Sequence, residues 1–219
     1  MDQDKASTWD GVTLRSTYKD RLVEGRDELA DAARDGAWST VFELLEEHPD
    51  WVNVGRVCGT SGYTPLHQAA WHGADADVVH RLTARGAWRT LRTTQGERAI
   101  DIATRQGHPH LLTPLTPVIH HHLPAETLRL IQHHFHALIH ERAGDLVTEH
   151  RLRLPELEPL TEQRHPASWF PVPGMYGGFS YRLEQGSLTV ESWCRVVGGS
   201  GQRHIIDEHG PHLVTEGFV

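Results

Sequence analysis

The feature that most constrains this chain is a pattern that recurs three times in its first half. Its clearest copy runs Gly62-Tyr63-Thr64-Pro65-Leu66-His67-Gln68-Ala69-Ala70-Trp71-His72-Gly73. Thr64 suits a helix N-cap, and Pro65 then takes the first helical position, where a missing N–H costs nothing. Leu66, Ala69 and Ala70 make one narrow apolar face whose alanines let a second helix come close, and Gly73 can end the helix in a left-handed conformation. Val78, Val79 and Leu82 repeat at helical spacing on a returning helix. Upstream, Leu29, Ala32, Ala33 and Gly36 precede Val41, Leu44 and Leu45; downstream, Ala99-Ile100-Asp101-Ile102-Ala103 leads to Gly107. Gly36, Gly73 and Gly107 stand 37 and 34 residues apart, so the first interval carries an insertion, placed at 53–61. A hairpin of this size cannot bury its apolar face alone, so the copies around Leu29, Leu66 and Ile100 are expected to stack.

With its T-P-L-H-x-A-A-x-x-G core complete and Val78 to Ala87 continuing it, the central copy resembles the ankyrin repeat. The resemblance covers about residues 25–118. It implies a mainly α ankyrin-repeat solenoid of about three repeats, behind an N-terminal arm (1–24) and ahead of a second module (119–219). The outer copies depart from the pattern: both lack Thr-Pro, and Ile100-Asp101 replaces Leu-His, as expected of repeats that cap a stack. The resemblance also implies that His67 braces a turn by hydrogen bonding, and that loop tips and inner helix faces hold a protein partner. Carried over position by position, that surface comprises Tyr63, Gln68, Trp71 and His72, then Trp88, Arg89, Leu91 and Arg92 at the next tip, and Arg105 on the third inner helix. Trp, Tyr and Arg are the side chains that dominate binding energy at interfaces. The competing reading packs Trp71 and Trp88 on neighbouring repeats or on the second module and leaves the arginines as a solvated tip.

Composition narrows the classes. The 219 residues carry a formal charge of −8, and no segment is a basic block, so a nucleic-acid partner is not expected. No apolar run reaches the roughly 18–20 residues of a membrane helix. Met1-Asp2-Gln3-Asp4-Lys5 is acidic and does not read as a secretory signal. Cys58 and Cys194 lack CxxC spacing and suggest reduced thiols rather than a disulfide framework. These readings point to a cytoplasmic protein, and the near absence of lysine (Lys5 and Lys19) beside common Arg, Ala and Gly looks like the coding bias of a GC-rich bacterial genome.

The second module reads as α+β, with one helix on an antiparallel β-meander. After His120-His121-His122, a helix is expected over 125–142, with Leu128, Ile131, Phe135, Leu138 and Ile139 on one face. His133, His136 and His140 fall with Arg129 on the other face. Their spacing suits a metal site, but no carboxylate completes the set, so a solvated polar face is preferred and no cofactor is expected. Trp169 to Tyr181, rich in Gly, Pro and aromatics, reads as a structured loop running into a strand at 179–183. A strand at 188–197, a turn at Gly198-Gly199-Ser200-Gly201, and extended segments at 203–206 and 213–219 follow. Glu191, Arg195, Arg203 and His204, beside that aromatic loop, could line a small catalytic pocket for an anionic or aromatic molecule. The leading expectation is an interaction protein that uses the helical half; a small enzyme built on those four residues is the alternative.

Overall fold

The computed structural model describes residues 6–195 and 200–217. The expected strand end and turn residues Val196, Val197, Gly198 and Gly199 lie outside the described residues, as do positions 1–5 and 218–219. The chain divides into two units: Leu14–Val118, and Ile119–Val219 together with Met1–Thr13.

The first unit is helical. Helices α1 (Asp20–Arg34) and α2 (Trp38–Glu47) form one hairpin, and α3 (Pro65–His72) and α4 (Ala76–Ala84) a second. Helix α5 (Ala99–Gln106) is followed by a short α6 (Leu112–Leu115). Helix α3 packs against both α1 and α5. Their apolar faces meet in one cluster that includes Leu29, Val41, Leu45, Leu66, Ala70, Val79, Leu82 and Ile102. Each fully buried aliphatic side chain of this kind contributes about 1.5–3 kcal/mol. Ile100 sits half-buried at the rim while Ile102 takes the core position. Leu66 is covered because α3 has an inner helix on both sides, whereas α5 has α3 on one side only.

Helix α3 ends at Gly73, whose φ of +62° a side chain would strain; a Cβ there would also stand 2.5 Å from His108 Nδ1. The extra residues of the first interval begin with a 3₁₀ turn at Pro49–Asn53, which buries Trp51 and Val52. Asn53 fastens this turn to the next loop: its Nδ2 donates to Gly86 O at 2.8 Å and its Oδ1 accepts from Trp88 N at 2.9 Å.

The second unit is built on a sheet. Strand β1 (Ser7–Thr8) comes from the N-terminal segment. Helices α7 (Ala125–Glu149) and α8 (Glu158–Thr161) precede β2 (Ala167–Val172), β3 (Gly177–Glu184), β4 (Ser187–Cys194), β5 (Ser200–Asp207) and β6 (Gly210–Gly217). The strands lie side by side in chain order. Strand β1 runs parallel to β2, and every later pair is antiparallel. Helix α7 packs on this sheet, with Phe135 set 5.0 Å from Tyr181 between ring centres.

These elements correct the expected fold class. The chain is not a mainly α solenoid followed by a small antiparallel meander. The described residues hold eight α-helices and a six-stranded mixed sheet. Two segments account for the difference. Residues 7–8, assigned to an arm, add a parallel strand. The supposed loop 169–172 is strand β2, with Phe170 and Val172 buried and Trp169 and Pro171 less so. Pro171 is tolerated because its missing N–H faces the side of Trp169 O, which accepts from Trp9 N, beyond the end of the short β1. Helix α7 also outruns the expected end at Arg142. It breaks its dihedrals at Ala143 (φ −146°, ψ 21°), beside Gly144, and resumes to Glu149. No helix among the described residues is long and apolar enough to cross a membrane.

Candidate functional site

The start of α3 fixes the geometry of the helical unit's concave surface. His67 is fully buried. Its Nδ1 accepts from Thr64 N (3.2 Å) and from Thr64 Oγ1 (2.8 Å), which leaves Nε2–H to donate to Leu91 O at 3.1 Å. One imidazole therefore closes the helix cap and anchors the following loop, the bracing role that the sequence resemblance implied.

With α3 held this way, Tyr63, Gln68 and Trp71 face Arg105 of α5 across a concavity of about 720 Å³. Trp71 is 44 % exposed, unusual for the largest apolar side chain. Its ring meets Tyr63 edge-on, with centroids 6.3 Å apart and planes at 65°. The Arg105 guanidinium lies 5.5 Å from the Trp71 ring centre, within cation–π range. Arg105 also forks Glu97, through Nε at 2.9 Å and Nη2 at 3.1 Å. Hydrogen bonding to Glu97, and then to Tyr63, raises the guanidinium's pKa above its ordinary value.

Arg34, Ser61, Gln95 and Glu97 complete the lining and were not expected from sequence. Glu97 and Gln95 sit in the loop before α5, where the repeat pattern carries no information. Arg34 comes from the end of α1, one helix away from the copy that drew attention.

The other expected partner residues lie elsewhere or are engaged. Trp88 and Leu91 are buried, at 8 % and 2 % exposure, so neither offers a surface. Arg89 Nε donates to Pro114 O at 2.9 Å and Arg92 Nη1 to Gly96 O at 2.8 Å, so both arginines tie down backbone. His72 remains exposed, and its Nε2 bonds Arg34 O at 2.7 Å, bridging α3 to the end of α1.

The sheet unit does not assemble the alternative site. Glu191 and Arg203 are register partners on β4 and β5 and form a half-exposed ion pair, with Arg203 Nε 2.8 Å from Glu191 Oε1. His204, the next residue on β5, necessarily points to the opposite face, where it is buried. Arg195 is exposed just past the end of β4. The four side chains thus do not converge on one pocket: Glu191 and Arg203 pair with each other, and His204 is buried on the other face. Of the aromatics expected to line the pocket, Tyr176 is 78 % exposed and the others are engaged in packing. Trp169 stacks on Trp193 at 4.7 Å and 19°, while Phe170, Phe179 and Tyr181 are buried.

The helical histidines differ in setting. Burial of His136 lowers its pKa, and its Nε2 bonds Pro155 O at 2.8 Å; His133 and His140 stay exposed. Among the described residues, no three His, Cys, Asp or Glu side chains form a group that could hold a metal ion.

No family model and no curated protein matches the chain. One similar solved structure is a chain of the complex between a predatory endopeptidase from Bdellovibrio bacteriovorus and an immunity protein. It is 23 % identical over 40 % of this chain and 43 % of that chain, at a TM-score of 0.35. The chain therefore spans less than half of that chain's length, and a likeness this weak assigns neither activity nor partner.

Proposed function

We propose that this chain is a recognition protein whose helical unit holds a protein partner in the concavity around Trp71. The observation that carries the reading is the exposure of Trp71 between Tyr63 and Arg105 in a preformed hollow. Side chains of these three kinds are the ones that supply most of the binding energy in protein interfaces. Arg105 is already locked by Glu97, so the partner meets an ordered surface and the entropy cost of association is reduced. The ankyrin-like motif at Thr64–Gly73 agrees with a recognition role. The enzyme alternative loses its support because Glu191 and Arg203 neutralise each other while His204 faces away.

A photo-crosslinking residue placed at the exposed position Gln95 tests the reading in the cells that make the protein. One discrete crosslinked species, lost when Trp71→Ala is added, is the expected result. Its persistence in the Trp71→Ala background, or its complete absence, would overturn the proposal.

A further inference from the structure

We infer that His108 is a positioning residue for the recognition surface: from just past α5 it fastens the end of α3 that carries Trp71. The inference rests on the recognition reading above and deepens it by naming what sets the direction of its central side chain.

The device occurs twice along the row α1, α3, α5. His72, the last residue of α3, reaches back to the end of α1, with its Nε2 2.7 Å from Arg34 O. His108 repeats the move from α5 to α3, with its Nε2 3.2 Å from Trp71 O. A carbonyl only accepts, so Nε2 carries a proton in both. Each ring lies beside a glycine of positive φ, Gly36 at +73° and Gly73 at +62°. A Cβ at Gly73 would stand 2.5 Å from His108 Nδ1, so it is the missing side chain that admits this ring. Both bonded carbonyls belong to residues that line the concavity, Arg34 and Trp71.

The bond matters to Trp71 because of where Trp71 sits. It is the next-to-last residue of α3, and the last carbonyls of a helix have no partner within it. Helix α3 has eight residues, too few for its last turn to hold by helical cooperativity alone. Gly73 N donates to Ala69 O, which closes the helix at one carbonyl; His108 closes it at Trp71 itself. The Cα–Cβ direction of a helical residue follows from its backbone, so a fastened carbonyl fixes where the indole leaves the helix. Packing alone does not fix it, because Trp71 is 44 % exposed. His110 bonds Ala74 O at 3.2 Å, a separate tie that still joins the two segments when His108 is replaced.

Fluorine NMR of the full chain labelled with fluorotryptophan tests this without any partner. The Trp71 and Trp88 signals are assigned by their loss in Trp71→Phe and Trp88→Phe. His108→Leu removes the donor, whereas His108→Gln keeps a side-chain N–H. In His108→Leu the Trp71 signal should shift or broaden while that of the buried Trp88 stays; in His108→Gln the parent signal should return. The yield of the Gln95 crosslink should fall by about two- to tenfold in His108→Leu, the ratio that one net hydrogen bond is worth, and recover in His108→Gln. An unchanged Trp71 signal or an undiminished crosslink in His108→Leu would overturn the proposal. So would an equal change at Trp88, which would mean a general loosening of the unit, or no recovery in His108→Gln. If the Trp71 signal does not respond while the parent crosslink stays Trp71-dependent, the positioning role falls and the recognition reading stands. If the parent gives no crosslink, the recognition reading falls, and the fluorine signals still decide whether His108 positions Trp71.

Discussion

His67 Nε2 lies 3.1 Å from the carbonyl oxygen of Leu91, so a fully buried imidazole on α3 carries the loop that leads toward α5. On its other side the same ring satisfies the Thr64 N–H. Replacing His67 with alanine leaves a buried donor and a buried acceptor without partners. Each such group costs about 1–3 kcal/mol. His67→Ala should therefore lower the stability of the helical unit by about 2–4 kcal/mol, read as a drop in the urea midpoint at unchanged slope. A midpoint within experimental error of the parent would show that the ring bears no load.

Leu66 is 1 % exposed inside the cluster shared by α1, α3 and α5. An aspartate there would bury a charge with no partner, which costs more than a domain of this size can spare. Leu66→Asp should abolish hydrogen-exchange protection across α1 to α5. Retention of slow-exchanging amides in α3 would contradict the single shared core.

Acid should destabilise the sheet unit through two histidines. His136 has a lowered pKa because burial disfavours its charged form. His204 is lowered first by burial and then by the nearby Arg142 charge. For both, the unfolded chain binds a proton at higher pH than the folded one. Their neutral forms favour folding fully above the ordinary histidine value, about 6.5, and stability falls as pH drops below it. In urea titrations between pH 7.5 and 5, His204→Gln should flatten this slope. An unchanged slope in that variant would place the effect elsewhere.

Arg203 and Glu191 are 48 % and 40 % exposed at their side chains. Solvent screens such a pair, and a double-mutant cycle should give a coupling below about 1 kcal/mol that shrinks further in 0.5 M salt. A coupling of several kcal/mol, insensitive to salt, would mean that the pair is more than a surface contact.

How much of this was legible in the sequence depends on range. Helices α3 and α4 could be read directly, because Thr64, Pro65, Leu66, Ala69 and Gly73 encode cap, face and stop within one hairpin. Helix α7 was legible from the spacing of Ile131, Phe135 and Leu138, up to the break at Ala143. The grouping of Tyr63, Gln68, Trp71 and Arg105 was what the ankyrin resemblance implied, while the rest of that carried-over surface is buried or engaged elsewhere. Strand β2 was not legible, because Pro171 and the neighbouring glycines look like loop until β3 supplies a partner.

Local chemistry along the chain thus determined where helices start, stop and turn their apolar faces. Only the tertiary structure decided which exposed-looking side chains stay exposed. Trp71 and Trp88 are indistinguishable as residue types, yet one lines a hollow and the other is buried. Only the tertiary structure, likewise, brought Ser7 and Thr8 beside β2, about 160 residues away in sequence, and set Arg203 and His204 on opposite faces of one sheet. Burial and strand pairing depend on partners distant in sequence, and no local pattern records them.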